Sequence, residues 1–192
     1  MSSILGPVQN DTMDTAPHAN TRLAAGPVLF GIQRDHSLLE LEAWMPSEIE
    51  AISPMVEQLM RTIEAWRCID GNEFAVELAL GEALNNAVIH GNGMDPIKLV
   101  EVRCRCERGK GVWLTVKDQG KGFDPLAVPD PLGSAGLKAE LGGGIQLLKL
   151  MMDEVSFERG GTEVHMRKGP VRHATAQLST NNTSANQSSD KR

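Results

Sequence analysis

The chain contains no tyrosine, three tryptophans and four phenylalanines, so aromatic residues make up 4% of its 192 positions. Its net charge is −6, from 19 Lys and Arg against 25 Asp and Glu. A chain with so few stacking side chains and an acidic balance lacks what an ordinary nucleic-acid binder uses. Long apolar runs are also missing, and none approaches the ~20 residues that a membrane span requires. The N-terminus, MSSILGPVQNDTMD, has neither the basic start nor the apolar middle of a secretory signal. The expectation is a soluble, cytoplasmic protein with no direct nucleic-acid partner and no membrane partner. Cysteine is scarce as well: Cys68, Cys104 and Cys106 do not make a disulfide framework. The last two sit two apart in a strand-like run and so point to one face of a sheet. No Cys/His pair of metal-ligand spacing accompanies them, and core-facing thiols are expected.

What is present is enough for one ordinary domain. Apolar residues reach 41% and charged residues 23%, a globular balance. Residues 1–36 mix Pro, Gly, Asn and Thr without sustained periodicity and read as a flexible N-terminal arm. Residues 170–192 end in the polar stretch Ser179–Asp190, whose one apolar residue is Ala185, and read as a disordered tail. The folded part is expected between them, over residues 37–169.

Within it, Ser37–Trp44 alternates weakly as a first strand. Ser47 with Glu50, or Ser53 followed by Pro54, marks the start of a helix running to about Arg67. Asp70 and Glu73 form a second capping pattern, opening a helix from about Asn72 to His90. Val100, Val102, Cys104 and Cys106 alternate with charged residues, and Val112, Leu114 and Val116 return after the connection Glu107–Gly111. Ile145–Met152 reads as a helix, and the stretches on either side of Arg159–Gly161 as a closing hairpin. Helices followed by an antiparallel sheet with one inserted helix predict an α+β two-layer sandwich.

Three places break the apolar pattern. The second helix is apolar almost all round, yet Glu82, Asn86 and His90 recur at four-residue intervals along one edge. A carboxylate beside a carboxamide suits holding a divalent cation while leaving a base available. A solvated polar face is the competing explanation, and asparagines in mid-helix weaken it. Asp118 continues the even-numbered set Val112, Leu114 and Val116, so it points where apolar side chains point and needs a partner. Gly120 and Gly122 follow it and let the backbone approach something closely; a strand-ending turn capped by Asp118 would have the same sequence. Gly142, Gly143 and Gly144 precede a helix, where exposed amides favour phosphate, although a triple glycine also serves as a hinge. Residues 124–141, rich in Pro and Gly, read as a lid or a disordered loop.

In order along the chain, these pieces resemble the motifs of the GHKL (Bergerat-fold) ATPases. Glu82–His90 is similar to their N box, Asp118–Phe123 to their first glycine box, Gly142–Leu148 to their second, and Gly161–Val164 to their closing threonine strand. The resemblance runs from about Leu38 to Lys168. Its short lid and the segment Met151–Val155 look most like the bacterial anti-sigma-factor serine/threonine kinases. The resemblance implies a Bergerat-type sandwich holding ATP and Mg²⁺ between the helix layer and a lid. It implies that Asp118 accepts a hydrogen bond from the adenine amino group, with Thr162 beside it, and that Gly120 and Gly122 pass the base and ribose. Asn86 would coordinate Mg²⁺, Gly142, Gly143 and Gly144 would bind the phosphates, and Glu82 would be the general base. The implied partners are a STAS-domain anti-sigma antagonist, which would be phosphorylated, and a sigma factor, which would be sequestered. Relatives of this type often form homodimers.

Two functions follow. One is an ATP-dependent protein serine/threonine kinase that also acts as an anti-sigma factor. The other is a nucleotide-gated module that sequesters a partner without phosphoryl transfer. Glu82 favours the kinase, because a pure binder has no need of that carboxylate. A sensor histidine kinase is disfavoured: no long dimerisation helices carry a phospho-acceptor histidine.

Overall fold

The computed structural model describes residues 28–33, 37–124 and 142–171. Among these residues six strands form one sheet: β1 (Val28–Gln33), β2 (Leu38–Pro46), β3 (Leu99–Glu107), β4 (Gly111–Lys117), β5 (Glu154–Glu158) and β6 (Glu163–Lys168). Their order is β1-β2-β3-β4-β6-β5, and every neighbouring pair is antiparallel. Three helices, α1 (Ile52–Trp66), α2 (Glu73–Asn85) and α3 (Gly142–Met151), complete an α+β sandwich.

The alternation read from sequence decides which face of the sheet is covered. Leu39, Leu41, Val100, Val102, Cys104, Val112, Leu114, Val116, Val164 and Met166 are all buried against the helices. The helices answer with Met55, Leu59 and Ile63 of α1 and Val76, Leu80 and Leu84 of α2, which are fully buried. Burying a side chain of this size removes about 1.5–3 kcal/mol worth of apolar contact with water, so this layer carries the stability of the domain. The opposite sheet face holds charged pairs. Arg105 and Arg167 each lie 5.4 Å from the centre of the Trp113 ring. Glu163, nearly fully buried there, pairs with Arg103 at 2.9 Å and Arg159 at 2.7 Å.

Several expectations are corrected. The reading of residues 1–36 as a flexible arm fails at Val28–Gln33, which pairs along β2 from Val28↔Trp44 to Gln33↔Leu39. A short run interrupted by Gly31 has no alternation to detect, and only the free edge of β2 makes it a strand. The rest of that arm, the tail beyond residue 171 and the lid at residues 125–141 lie outside the described residues. Neither proposed side-chain cap forms at α1, which is entered through a 3₁₀ turn at Ile49–Ala51. At α2 the N-cap is Asn72; Glu73 reaches back to the Gly71 N–H at 3.0 Å, while Asp70 is occupied by Arg67. The second helix also stops being α-helical at Asn85, and Asn86–Gly91 form a π-helical turn.

The cysteines all face the core as expected, but two of them are not free. Cys68, just past α1, is joined to Cys106 of β3 by a disulfide with Cα atoms 5.9 Å apart and a sequence separation of 38. Their separation in sequence hides a pairing that packing α1 on the sheet creates. Closing a loop of that length removes unfolded-chain entropy worth about 4 kcal/mol. Reduction, or paired Cys68→Ala and Cys106→Ala substitution, should lower the urea unfolding free energy by about 2–4 kcal/mol; unchanged midpoints with and without reductant would reject the bridge. The remaining thiol, Cys104, is pushed up to about 12 by burial. It should therefore stay unmodified when the native protein is exposed to iodoacetamide and react only after unfolding.

Candidate functional site

One cleft is lined by Asn86, His90 and Asp118, and Glu82 and Gly144 pack against Asn86 at its edge. It opens between α2 with its π turn, the ends of β4 and β6, and the first turns of α3. Its cavity measures about 140 Å³ and opens to solvent at the mouth. Ala83, Ala87, Val116 and Leu148 supply apolar lining. Phe123 and Phe157 meet edge to face at one wall, with centroids 5.5 Å apart.

Glu82 and Asn86 stand one α-helical turn apart, and the Asn86 Nδ2 donates to Glu82 Oε1 at 3.2 Å. Asn85 is excluded from this pair because its Nδ2 donates to the Gly81 carbonyl of its own helix at 3.0 Å. The four-residue offset from Glu82 thus selects Asn86. His90 falls in the π turn, exposed at the cleft wall. Gly142, Gly143 and Gly144 form the first turn of α3 rather than a linker before it. Gly144 presses against the Glu82 carboxylate: a Cβ there would overlap Glu82 Oε1 and come within 3.0 Å of Asn86 Nδ2. The start of α3, with backbone N–H groups free of helical partners, therefore meets the Glu82–Asn86 pair directly.

Asp118 occupies the other end of the cleft, half-buried, on the same face as Val116. Its backbone N–H donates to the Thr162 carbonyl at 3.0 Å, and its Oδ1 accepts the Gly120 N–H at 2.7 Å. Both sequence readings of this residue hold at once: the carboxylate caps a turn and faces the cleft. Burial raises its pKa above the usual carboxylate range, partly offset by the Gly120 N–H and the charge of Lys98. Gly122, at φ 72°, runs beneath the Gly160 carbonyl, and Phe123 N–H donates to that oxygen at 2.9 Å. The Thr162 hydroxyl donates to the Arg159 carbonyl at 3.1 Å, and Thr162 also lines the cleft. Lys121 faces solvent.

Sequence reasoning missed Gly91 and Asn92. A Cβ on Gly91 would fall 2.6–2.7 Å from the Asp118 carboxylate oxygens, so glycine is what lets that carboxylate sit there. Asn92 is buried, and its role is a contact across the fold that no local pattern signals. The aromatic wall was missed for the same reason. On the opposite sheet face, Glu158, Glu163 and His165 bring three ligand-type atoms within 4.8 Å of one another. Arg103 and Arg159 already neutralise Glu163 there, which makes the group a structural ion cluster. Among the described residues no helix is long and apolar enough to cross a membrane.

A family model described as "Histidine kinase-like ATPase domain" matches residues 45–168. The chain is 34% identical over 98 residues to an anti-sigma F factor of Geobacillus stearothermophilus, covering 48% of this chain and 66% of that relative. An anti-sigma F factor of Clostridium novyi (strain NT) is 31% identical over 98 residues, covering 48% of this chain and 68% of the relative. The aligned part thus spans about two thirds of the length of these relatives.

Proposed function

This chain belongs to the histidine kinase-like ATPase domain family, and on that premise we propose that it is an ATP-dependent serine/threonine protein kinase acting as an anti-sigma regulatory factor. The observation that carries the proposal is a cleft lined by Asp118 at one end and Asn86 at the other, with Glu82 and Gly144 packed against Asn86. A half-buried carboxylate suited to an amino group and a helix start suited to phosphate support a nucleotide as the ligand.

The donor set fits Mg-ATP. Asp118 would take the adenine amino group, with Gly120, Gly122 and Thr162 around the base. Asn86 offers a carboxamide oxygen to Mg²⁺, and Gly142, Gly143 and Gly144 offer backbone N–H groups to the phosphates. Bound Mg-ATP supplies the γ-phosphoryl group and the cation charge that neutralises it. The protein's own part is positioning and proton handling. Glu82 would take the proton from an incoming serine or threonine hydroxyl as that oxygen bonds to the γ-phosphorus and the bond to the β,γ-bridging oxygen breaks, with ADP as the leaving group. Asn86 holds that carboxylate in place through the 3.2 Å hydrogen bond, and Gly144 keeps the space beside it open.

The substrate in this reading is an anti-sigma antagonist of the STAS fold, whose phosphorylation frees the kinase to sequester a sigma factor in the cytoplasm. The relatives named anti-sigma F factor support the sigma-directed role. The test is transfer of labelled phosphate from Mg-ATP into proteins of the source cell's extract, comparing the native protein with Glu82→Ala. A small protein labelled only by the native form is the expected result. ATP binding without Glu82-dependent label would reject the kinase and leave a nucleotide-gated sequestering module.

A further inference from the structure

Three segments meet behind the Asp118 carboxylate: the residues leaving the π turn, the first residue of β3, and the residue after Asp118. They are joined by a closed ring of hydrogen bonds. Asn92 Nδ2 donates to the Leu99 carbonyl at 3.2 Å, the Leu99 N–H donates to Gln119 Oε1 at 2.9 Å, and the Gln119 N–H donates to Asn92 Oδ1 at 2.8 Å. Only one orientation of the Asn92 carboxamide satisfies both of its partners, one an acceptor and the other a donor. The Asn92 N–H donates in addition to the Ala87 carbonyl at 2.8 Å, which ties the ring to the π turn.

The ring has a direct consequence for the carboxylate. Gly91 and Asn92 are consecutive, as are Asp118 and Gln119. Gly91 packs against the Asp118 carboxyl group while Asn92 bonds the backbone of Gln119. Two adjacent residues of one segment therefore hold two adjacent residues of the other. Any slip between them moves the Asp118 oxygens relative to the cleft. A hydrogen-bond acceptor that reads one amino group must be held to within about half an ångström.

We propose that Asn92 and Gln119 are positioning residues that set the Asp118 carboxylate for recognition of the adenine amino group. The proposal rests on the nucleotide reading given above. Neither side chain touches the nucleotide in this account; both act through Asp118. Asn92 is buried, whereas Gln119 is exposed, so Gln119 can be changed without opening the core.

The experiment compares binding of ATP with binding of inosine triphosphate by the full chain. Inosine triphosphate carries a carbonyl oxygen in place of the 6-amino group and so presents an acceptor where adenine presents the donor that Asp118 reads. The native protein should prefer ATP. Gln119→Ala should weaken ATP binding about tenfold and change inosine triphosphate binding by less than about twofold, collapsing the preference. Gln119→Glu keeps the acceptor for the Leu99 N–H and should restore the preference; its added negative charge acts on both nucleotides alike and cancels in the ratio. Asn92→Ala should act in the same direction, with Gln119 deciding the matter where Asn92→Ala lowers the melting temperature. Parallel weakening of both nucleotides, or a preference unchanged by Gln119→Ala, would overturn the positioning role while leaving the nucleotide site intact. A native protein that binds neither nucleotide, or both equally, would sink the reading of Asp118 itself.

Discussion

Asp118→Asn should weaken ATP binding by about 10–100-fold, the effect of replacing a charge-assisted hydrogen bond to the adenine amino group with a weaker neutral one. The same substitution should leave the unliganded fold at least as stable at neutral pH. Burial raises the Asp118 pKa in the folded protein, so the folded state binds the proton more tightly than the unfolded chain does. The stability from protonation is present below the usual Asp pKa of about 3.9 and is lost as pH rises through the raised folded value. At neutral pH the native protein therefore carries the cost of a half-buried charge, which asparagine does not. The Gly120 N–H keeps its acceptor in the variant. Thermal melts from acid to neutral pH should show the variant gaining on the native protein as pH rises. A variant that binds ATP as tightly as the native chain would remove Asp118 from the site.

Glu82→Gln has the larger expected effect on chemistry. Loss of a positioned general base typically slows transfer by about 10²–10⁴-fold, and glutamine retains an oxygen that can accept from Asn86 Nδ2. ATP affinity should change by less than about threefold, because in the proposed mechanism the carboxylate acts on the acceptor hydroxyl rather than on the nucleotide. Single-turnover transfer and equilibrium binding measured on the same preparation separate these outcomes. A variant with full transfer would require another base, and His90, exposed at the cleft wall, would be the first residue to substitute. A variant that loses ATP binding and transfer together would place Glu82 in nucleotide binding instead.

Much of this site was legible in the chain because its residues break strong local patterns. Glu82 and Asn86 interrupt a helix that is apolar on nearly every side, and their four-residue offset is one helical turn, so a local rule placed them together. Asp118 continues a two-residue alternation, so its direction into the buried layer followed from strand geometry. The triple glycine pointed to a helix start, although these glycines turned out to be the first turn itself. Local rules failed where the backbone departs from them. His90 extends the four-residue series arithmetically, yet the π turn over Asn86–Gly91 changes the rotation per residue before it is reached. The capping residues proposed for α1 and α2 were misassigned because a side chain's choice between helix and other partners depends on what else is near, as with Asp70 and Arg67.

The sequence by itself determined which faces of β3 and β4 are buried, the two-layer class, and which polar residues break the apolar pattern, because periodicities of 2 and 3.6 residues are properties of the local backbone. Tertiary structure alone decided the contacts between segments distant along the chain. Packing α1 on the sheet brought Cys68 to Cys106, and the free edge of β2 made a strand of Val28–Gln33. The approach of the π turn to the end of β4 set Gly91 against Asp118 and closed the ring through Asn92, Leu99 and Gln119. Such contacts depend on how whole elements stack, and the residues that make them carry no mark in their own neighbourhood.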